Sequence, residues 1–303
     1  MAQPAPPSLH GFVVIDKPAA WTSHDVVARV RRLTGERRVG HAGTLDPAAT
    51  GVLPVAVGSA TRVVEFLAGA GKTYLAEITF GVTTETDDLE GGVVQVRDAA
   101  ALTDAAVEAV LAPFRGEIAQ RPPAFAAIKV GGRRLYELAR RGEAVAAPPR
   151  QVTIHELALL RWEPPVATLL VDCSKGTYIR SLARDLGAAL GVGAHLSNLV
   201  RLRTGPFTLC DAVTLDELAA SELPRDWPAI AYHPDVVVAD WPALLLDARA
   251  ALDWRNGRAI PAAPGARVED RCRAYGPNGE WLGIGRGEPG EAVWRPTKVV
   301  DAA

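Results

Sequence analysis

The sequence predicts an α+β chain ending in a small β-rich unit. Three observations predict it. Strand-like and helix-like stretches alternate irregularly up to about residue 232, no repeat of fixed period interrupts them, and residues 239–303 are short apolar runs between Gly, Pro and Asn. At 303 residues there is room for one large domain and a small one, and 48% hydrophobic residues supply a core for both.

Taken in order, MAQPAPPSLH (1–10) has no charged head followed by an apolar run, so it is not a signal peptide and reads as a short disordered Pro-rich tail. Gly11 to Asp16 is a buried strand that ends at Lys17-Pro18. Thr22 or Ser23 caps a helix whose apolar face is Val26, Val27, Val30 and Leu33. Residues 39–54, VGHAGTLDPAATGVLP, lack periodicity and are expected to form an irregular loop. Tyr74 to Phe80 alternates as a strand, with the VVQV after Gly91-Gly92 as its expected hairpin partner. Thr103 opens a helix that turns Val107, Val110, Leu111 and Phe114 inward. Residues 119–150 form a basic, weakly periodic insertion with one short helix near Leu135 to Arg141. Strands resume at Val152–Leu160 and Thr168–Cys173, and a helix from Ile179 turns Leu182, Ala183, Leu186 and Leu190 inward. Thr214 and Glu217 make a capping box. A boundary near 233–242 divides a domain over 11–238 from a β-barrel-like unit over 239–303.

Composition narrows the function. No run approaches the roughly 20 apolar residues of a membrane helix. Cys173, Cys210 and Cys272 are too scattered for a disulfide framework or a zinc site, which points to the reduced cytoplasm. The net charge of −2 hides an uneven distribution. Residues 205–245 hold one base and seven acids, leaving +4 elsewhere, with five Arg in residues 29–38 and eight Lys/Arg in 115–150. Such local patches fit phosphates, although a solvated arginine-rich helix face has the same composition.

Gly69 to Thr73 ends like a phosphate-binding P-loop, but Phe66 stands where that motif needs Gly and the segment leads into a strand. The Asp46 loop is richer. An Asp-Pro pair is ordinarily a turn, yet here it sits among Gly40, Gly43, Gly51, Thr44, Thr50 and His41, residues that let backbone approach a ligand and fix a carboxylate. A lone carboxylate without His/Ser partners or metal ligands suits nucleophilic or proton-shuttling work. Tyr178 and Arg180 stand at a strand-to-helix junction, where an Arg can pair with a carboxylate and an aromatic can stack on a base; ordinary helix entry is the alternative. Of 33 cationic residues five are Lys, and Lys17, Lys72, Lys129 and Lys175 all fall in motif-like segments, where a compact point charge differs from a guanidinium.

Six blocks, GFVVIDKP (11–18), GHAGTLDPAATGVLP (40–54), KTYLAEITFG (72–81), QRPPAFAAIKVGGRRLYELARRG (120–142), CSKGTYIR (173–180) and GAHLSNLVRLRTGPF (193–207), together resemble the bacterial tRNA pseudouridine-55 synthases, the TruB family. The ending resembles that family's small PUA-type RNA-binding domain. The resemblance implies a mixed, largely antiparallel sheet flanked by helices, with the active site in a basic cleft. It implies an isomerase that flips the T-loop uridine (position 55) of tRNA, breaks its glycosidic bond and rejoins the base through C5. It implies Asp46 as the catalytic carboxylate, Arg180 as its partner and Tyr74 as the aromatic stacked on uracil. It also implies Tyr178 and Leu199 lining the pocket, His41 entering the T-loop, and residues 119–150 as a thumb that closes on RNA. Lys17 and Lys129 are grouped with the substrate-binding residues. An isomerisation needs neither nucleotide cofactor nor metal, and a monomer acting on the tRNA T-arm is expected. A non-catalytic tRNA-folding protein, or a synthase for another RNA, stays open beside this reading. Two departures stand out: Ala20 stands where the family usually has Gly in its Lys-Pro-x-Gly turn, and Ala126 replaces the usual Ser in the thumb block.

Overall fold

The computed structural model describes residues 9–126, 128–130, 133–134, 147–262, 270–288 and 290–300. Most of the tail over 1–10 and the expected helix near Leu135 to Arg141 lie outside the described residues.

The strands of the first part are β1 (Gly11–Lys17), β2 (Val39–His41), β3 (Thr50–Val57), β4 (Lys72–Phe80), β5 (Val82–Thr84), β6 (Val93–Val96), β7 (Gly116–Gln120), β8 (Lys129–Val130), β9 (Arg133–Arg134), β10 (Arg150–Glu163), β11 (Val166–Cys173), β12 (Ala194–Thr204), β13 (Phe207–Thr208) and β14 (Ala231–Tyr232). One large sheet runs β14-β1-β3-β12-β4-β11-β10-β7, with β2 on β3 and β13 on β12. Its pairs are antiparallel except β3 with β12, so the sheet is mixed and largely antiparallel.

The parallel pair is a seam between two differently built halves. On one side β1 and β3 read as apolar runs because both of their faces are covered. Helix α1 (Ser23–Thr34) packs Val26, Val27 and Val30 on one face of them. Its N-terminus is fixed by a Thr22–Asp25 capping box, which contributes about 1 kcal/mol. On the other side β4 and β11 alternate buried with half-buried residues, and their buried face packs on α2 (Asp104–Leu111) and α3 (Ile179–Ala189). The seam needs a glycine. Gly51 has φ +95°, and a Cβ there would lie 2.3 Å from the Arg201 carbonyl of β12.

Two expectations are corrected. VVQV does not pair with Tyr74–Phe80, whose two edges are taken by β11 and β12; it pairs as β6 with β5, outside the large sheet. The stretch 39–54 is also shorter as a loop than expected: 39–41 and 50–54 are strand, leaving 42–49 as the irregular part.

The last part is a five-stranded sheet, β15 (Ala243–Leu245), β16 (Ile260–Pro261), β17 (Cys272–Tyr275), β18 (Trp281–Glu288) and β19 (Val293–Val299), in the order β15-β17-β18-β19-β16. It packs around Trp254 of α4 (Ala248–Arg255). Its other apolar residues, Trp281, Ile284 and Val300, share a cluster with Phe12, Val14 and Val52, which fixes this sheet to the large one.

Candidate active site

The loop 42–49 lies at the seam, and its two neighbours of Asp46 are tied down. The Leu45 amide donates to Ser23 Oγ (2.9 Å), and Ser23 Oγ donates back to the Leu45 carbonyl (3.2 Å). The Pro47 carbonyl accepts from the Ala20 amide (3.0 Å) and from Lys17 Nζ (3.0 Å). With residues on both sides held, the Asp46 side chain projects into a cavity of about 780 Å³.

Arg180, on the first turn of α3, meets it there. Its Nε lies 3.0 Å from Asp46 Oδ2 and its Nη2 donates to Oδ1 at 3.3 Å, a two-point contact that fixes the carboxylate plane. The same guanidinium reaches Asp88 Oδ2 at 3.4 Å and the carbonyls of Thr86 and Phe125. One turn later Arg184 pairs with Asp87 at 3.0 Å. Helical spacing of four thus meets two consecutive carboxylates and clamps the 85–90 loop to the helix. The Arg180 side chain is 8% exposed and Asp46 42%, so the cation is buried while the carboxylate faces the cavity.

Tyr74, Tyr178 and Leu199 line the same cavity. Tyr74 on β4 is paired in register with Arg201 on β12, and Ala76 with Leu199, so Tyr74, Leu199 and Arg201 share one face. Burial pushes the Tyr74 hydroxyl above its usual range, while the neighbouring Arg201 opposes the shift. Tyr178 caps α3, and its backbone is clamped at both ends by the buried Gln120 amide, which donates to the Tyr178 carbonyl (3.0 Å) and accepts from its N–H (2.8 Å). The Arg150 guanidinium sits 4.4 Å over its ring.

Asp46, Tyr74, Tyr178, Arg180 and Leu199 therefore come together. His41 and Lys17 do not line this cavity. His41 sits on β2, edge-to-face with His24 at 5.6 Å, and its Nδ1 is buried without a partner; burial lowers its pKa. Lys17, grouped by sequence with the substrate-binding residues, is instead wholly buried, its ammonium donating to the carbonyls of Pro18, Trp21 and Pro47. Burial brings it down to about 8. It pins the loop from beneath. The Lys129 side chain lies outside the described residues.

Sequence reasoning missed Asp88, Gln120 and Arg201. Arg201 carried a readable signal, a charge in the buried phase of β12 two residues after Leu199. Asp88 and Gln120 carried none, since only the fold brings them to Arg180 and Tyr178.

The chain is similar to known proteins along most of its length. Residues 31–179 match the model of the TruB family pseudouridylate synthase N-terminal domain. Residues 180–226 match the tRNA pseudouridylate synthase B C-terminal domain, and 242–300 the pseudouridine synthase II TruB C-terminal model. The tRNA pseudouridine synthase B of Symbiobacterium thermophilum is 53% identical over 80% of this chain and 80% of its own. That of an Arthrobacter species is 47% identical over 91% of this chain and 92% of its own. Among solved structures, an H/ACA RNP bound to a substrate RNA containing 2′-deoxyuridine gives a TM-score of 0.71 at 26% identity, covering 97% of this chain and 85% of that one. A Cbf5-Nop10-Gar1 complex gives 0.71 at 28% identity, covering 96% and 84%.

Proposed function

Because the chain belongs to the TruB family of pseudouridylate synthases, we propose that it isomerises the T-loop uridine (position 55) of tRNA to pseudouridine, with Asp46 as the catalytic carboxylate. The observation that carries this reading is the Asp46 carboxylate, held in plane by Arg180 and facing a cavity walled by Tyr74, Tyr178 and Leu199. A uridine in a folded loop must leave its stack to reach such a carboxylate, which costs a few kcal/mol. Stacking on an aromatic returns about 1–3 kcal/mol per base, and Tyr74 opposite Leu199 is the surface we assign to it.

Asp46 then either attacks C1′ or removes the C2′ proton, and on both routes the N1–C1′ bond breaks before the base rejoins through C5. Arg180 keeps the carboxylate from rotating away, so that its oxygen meets the sugar in a reactive orientation. His41 and the exposed Arg31, Arg32, Arg37 and Arg38 are assigned to the RNA around the target, and residues 119–150 to closure over it. The T-arm of tRNA is the partner of this reading, acted on by a monomer in the cytoplasm. No helix among the described residues is long and apolar enough to cross a membrane.

The test incubates purified protein with an unmodified tRNA transcript and maps pseudouridine along it. We expect signal at the T-loop uridine and none with Asp46→Asn. Signal elsewhere would replace the substrate. Turnover by Asp46→Asn would remove Asp46 from the chemistry, and tight tRNA binding without any product would favour an RNA-folding role.

A further inference from the structure

We propose that Lys72, backed by Arg201, is a further catalytic residue: its ammonium stabilises the uracil anion that exists between bond breaking and rejoining. The inference rests on the function proposed above and assigns to named groups a charge which that reaction creates.

The charge follows from electron balance. When N1–C1′ breaks, the bonding pair stays on N1, and the ring holds one negative charge spread over N1, O2 and O4. The sugar is meanwhile bonded to the Asp46 carboxylate at C1′, or has given its C2′ proton to it. When C5 bonds to C1′, the C1′–Asp46 bond breaks or, on the other route, the proton on Asp46 returns to C2′. The ring becomes neutral again, and loss of the C5 proton is balanced by gain of a proton at N1. Substrate and product carry no charge on the base; the intermediate does. A fixed cation beside the base therefore acts on the reaction more than on binding.

The cavity floor provides one. Lys72 and Tyr74 lie two residues apart on β4, so their side chains share a face, and both line the cavity. Lys72 is 8% exposed, and its ammonium donates to the Ala70 carbonyl at 3.0 Å. Arg201 is wholly buried; Nε donates to the Val52 carbonyl, Nη2 to that of Gly43, and Nη1 has no partner. The two cations approach each other across Gly43, where a Cβ would stand 3.3 Å from Lys72 Cε and 3.7 Å from Arg201 Nη1. Among the described residues neither is ion-paired with a carboxylate. Burying a cation without a counter-charge costs several kcal/mol. Burial and the Arg201 charge accordingly bring Lys72 down to about 8. An anion forming on the base would supply the missing counter-charge at the step where it helps. An RNA phosphate is the other anion in reach of such a pair, and it would strengthen binding rather than bond cleavage.

The experiment measures single-turnover rates and substrate affinity for wild type, Lys72→Met and Lys72→Arg on two tRNA transcripts. One carries uridine at the target and the other 5-fluorouridine, with the altered nucleoside read by nuclease digestion and chromatography. Fluorine withdraws electrons, so the fluorinated anion needs less help from the protein. We expect Lys72→Met to slow uridine conversion by about 10²–10³-fold with little change in affinity. We expect it to slow the fluorinated substrate by at least about tenfold less, and Lys72→Arg to recover part of the rate. Both substrates are run on the same protein, so loss of folded material cancels. Equal slowing of the two substrates, an unchanged rate, or weakened binding at an unchanged rate would overturn the proposal. If wild type makes no pseudouridine, the reading of function falls first and this one with it.

Discussion

Two buried arginines flank the Asp46 loop and are satisfied in opposite ways. Arg180 reaches two carboxylates, Asp46 and Asp88, and two carbonyls. Arg201 reaches two carbonyls and leaves Nη1 without a partner. Where the protein supplies both charges, the outcome is a held group, and Asp46 cannot rotate freely. Where it supplies the cation alone, the desolvation cost is left standing. The first arrangement positions; the second waits for charge brought by a substrate. This contrast predicts that stability and activity respond differently on the two sides of the loop.

The largest effect is expected at Arg180. Arg180→Met strands Asp46 and Asp88 and releases the 85–90 loop from one of its two clamps. Removing one partner of a buried pair costs about 3–5 kcal/mol, and because Asp46 is 42% exposed the low end, about 3 kcal/mol, applies. Urea unfolding checks this, and pseudouridine formation should fall at least about 10²-fold with it. A variant as stable as wild type would mean that the network is not holding the loop.

Arg201→Met should separate the two quantities. It gives up two hydrogen bonds to carbonyls, each contributing about 1 kcal/mol, and relieves the cost of an unpaired buried charge. Stability should stay within about 1 kcal/mol of wild type while the rate drops. A loss as large as that of Arg180→Met would erase the comparison.

pH sharpens it further. Lys72 has a folded-state value of about 8 against 10.5 in an unfolded chain, so between those values the folded state binds fewer protons. Its charge therefore penalises folding fully below about pH 8, and the penalty fades as pH rises toward 10.5. Relative to Lys72→Met, wild type should gain stability over that window, and should lose activity over it as the ammonium becomes neutral. Of the other groups facing Lys72, burial lowers Arg201 from its usual value, and burial pushes Cys173 up to about 11, above the window. Lys175 also faces it. Lys17 shifts in the same direction, so removing both lysines should flatten the stability slope more than removing one. Paired denaturant titrations at about pH 7.5, below the window, and about pH 9.5, well inside it, measure it.

The sequence made the strands and helices of this architecture legible through periodicity and caps, because burial on one face or two leaves an alternating or continuous pattern. β4 and β11 alternate and β1 does not, and each was readable for that reason. Pairing was less legible. VVQV follows a Gly-Gly as a hairpin strand would, yet the edges of β4 are filled by β11 and β12, partners about 90 and 120 residues away in the chain. The meeting of Asp46 with Arg180 came from resemblance, since 134 residues separate them. The surroundings of Lys17 were no more legible: grouped with the substrate-binding residues, it has its ammonium on three carbonyls, one of them 30 residues away in the chain.

The smallest effect concerns the turn that ties this loop from below. Ala20 has φ +64°, the left-handed region in which a Cβ crowds its own backbone and a glycine would not. The strain is retained because the Ala20 amide donates to the Pro47 carbonyl beside Lys17. Ala20→Gly would relieve about 1–2 kcal/mol of strain, and the more flexible unfolded chain would offset about 0.4–1 of it. A net gain of about 0.5–1 kcal/mol is expected in denaturant unfolding, with turnover unchanged because Asp46 keeps its ties at Leu45 and Pro47. A gain in stability accompanied by a slower rate would mean that the strained turn itself sets the height of Asp46 in the cavity.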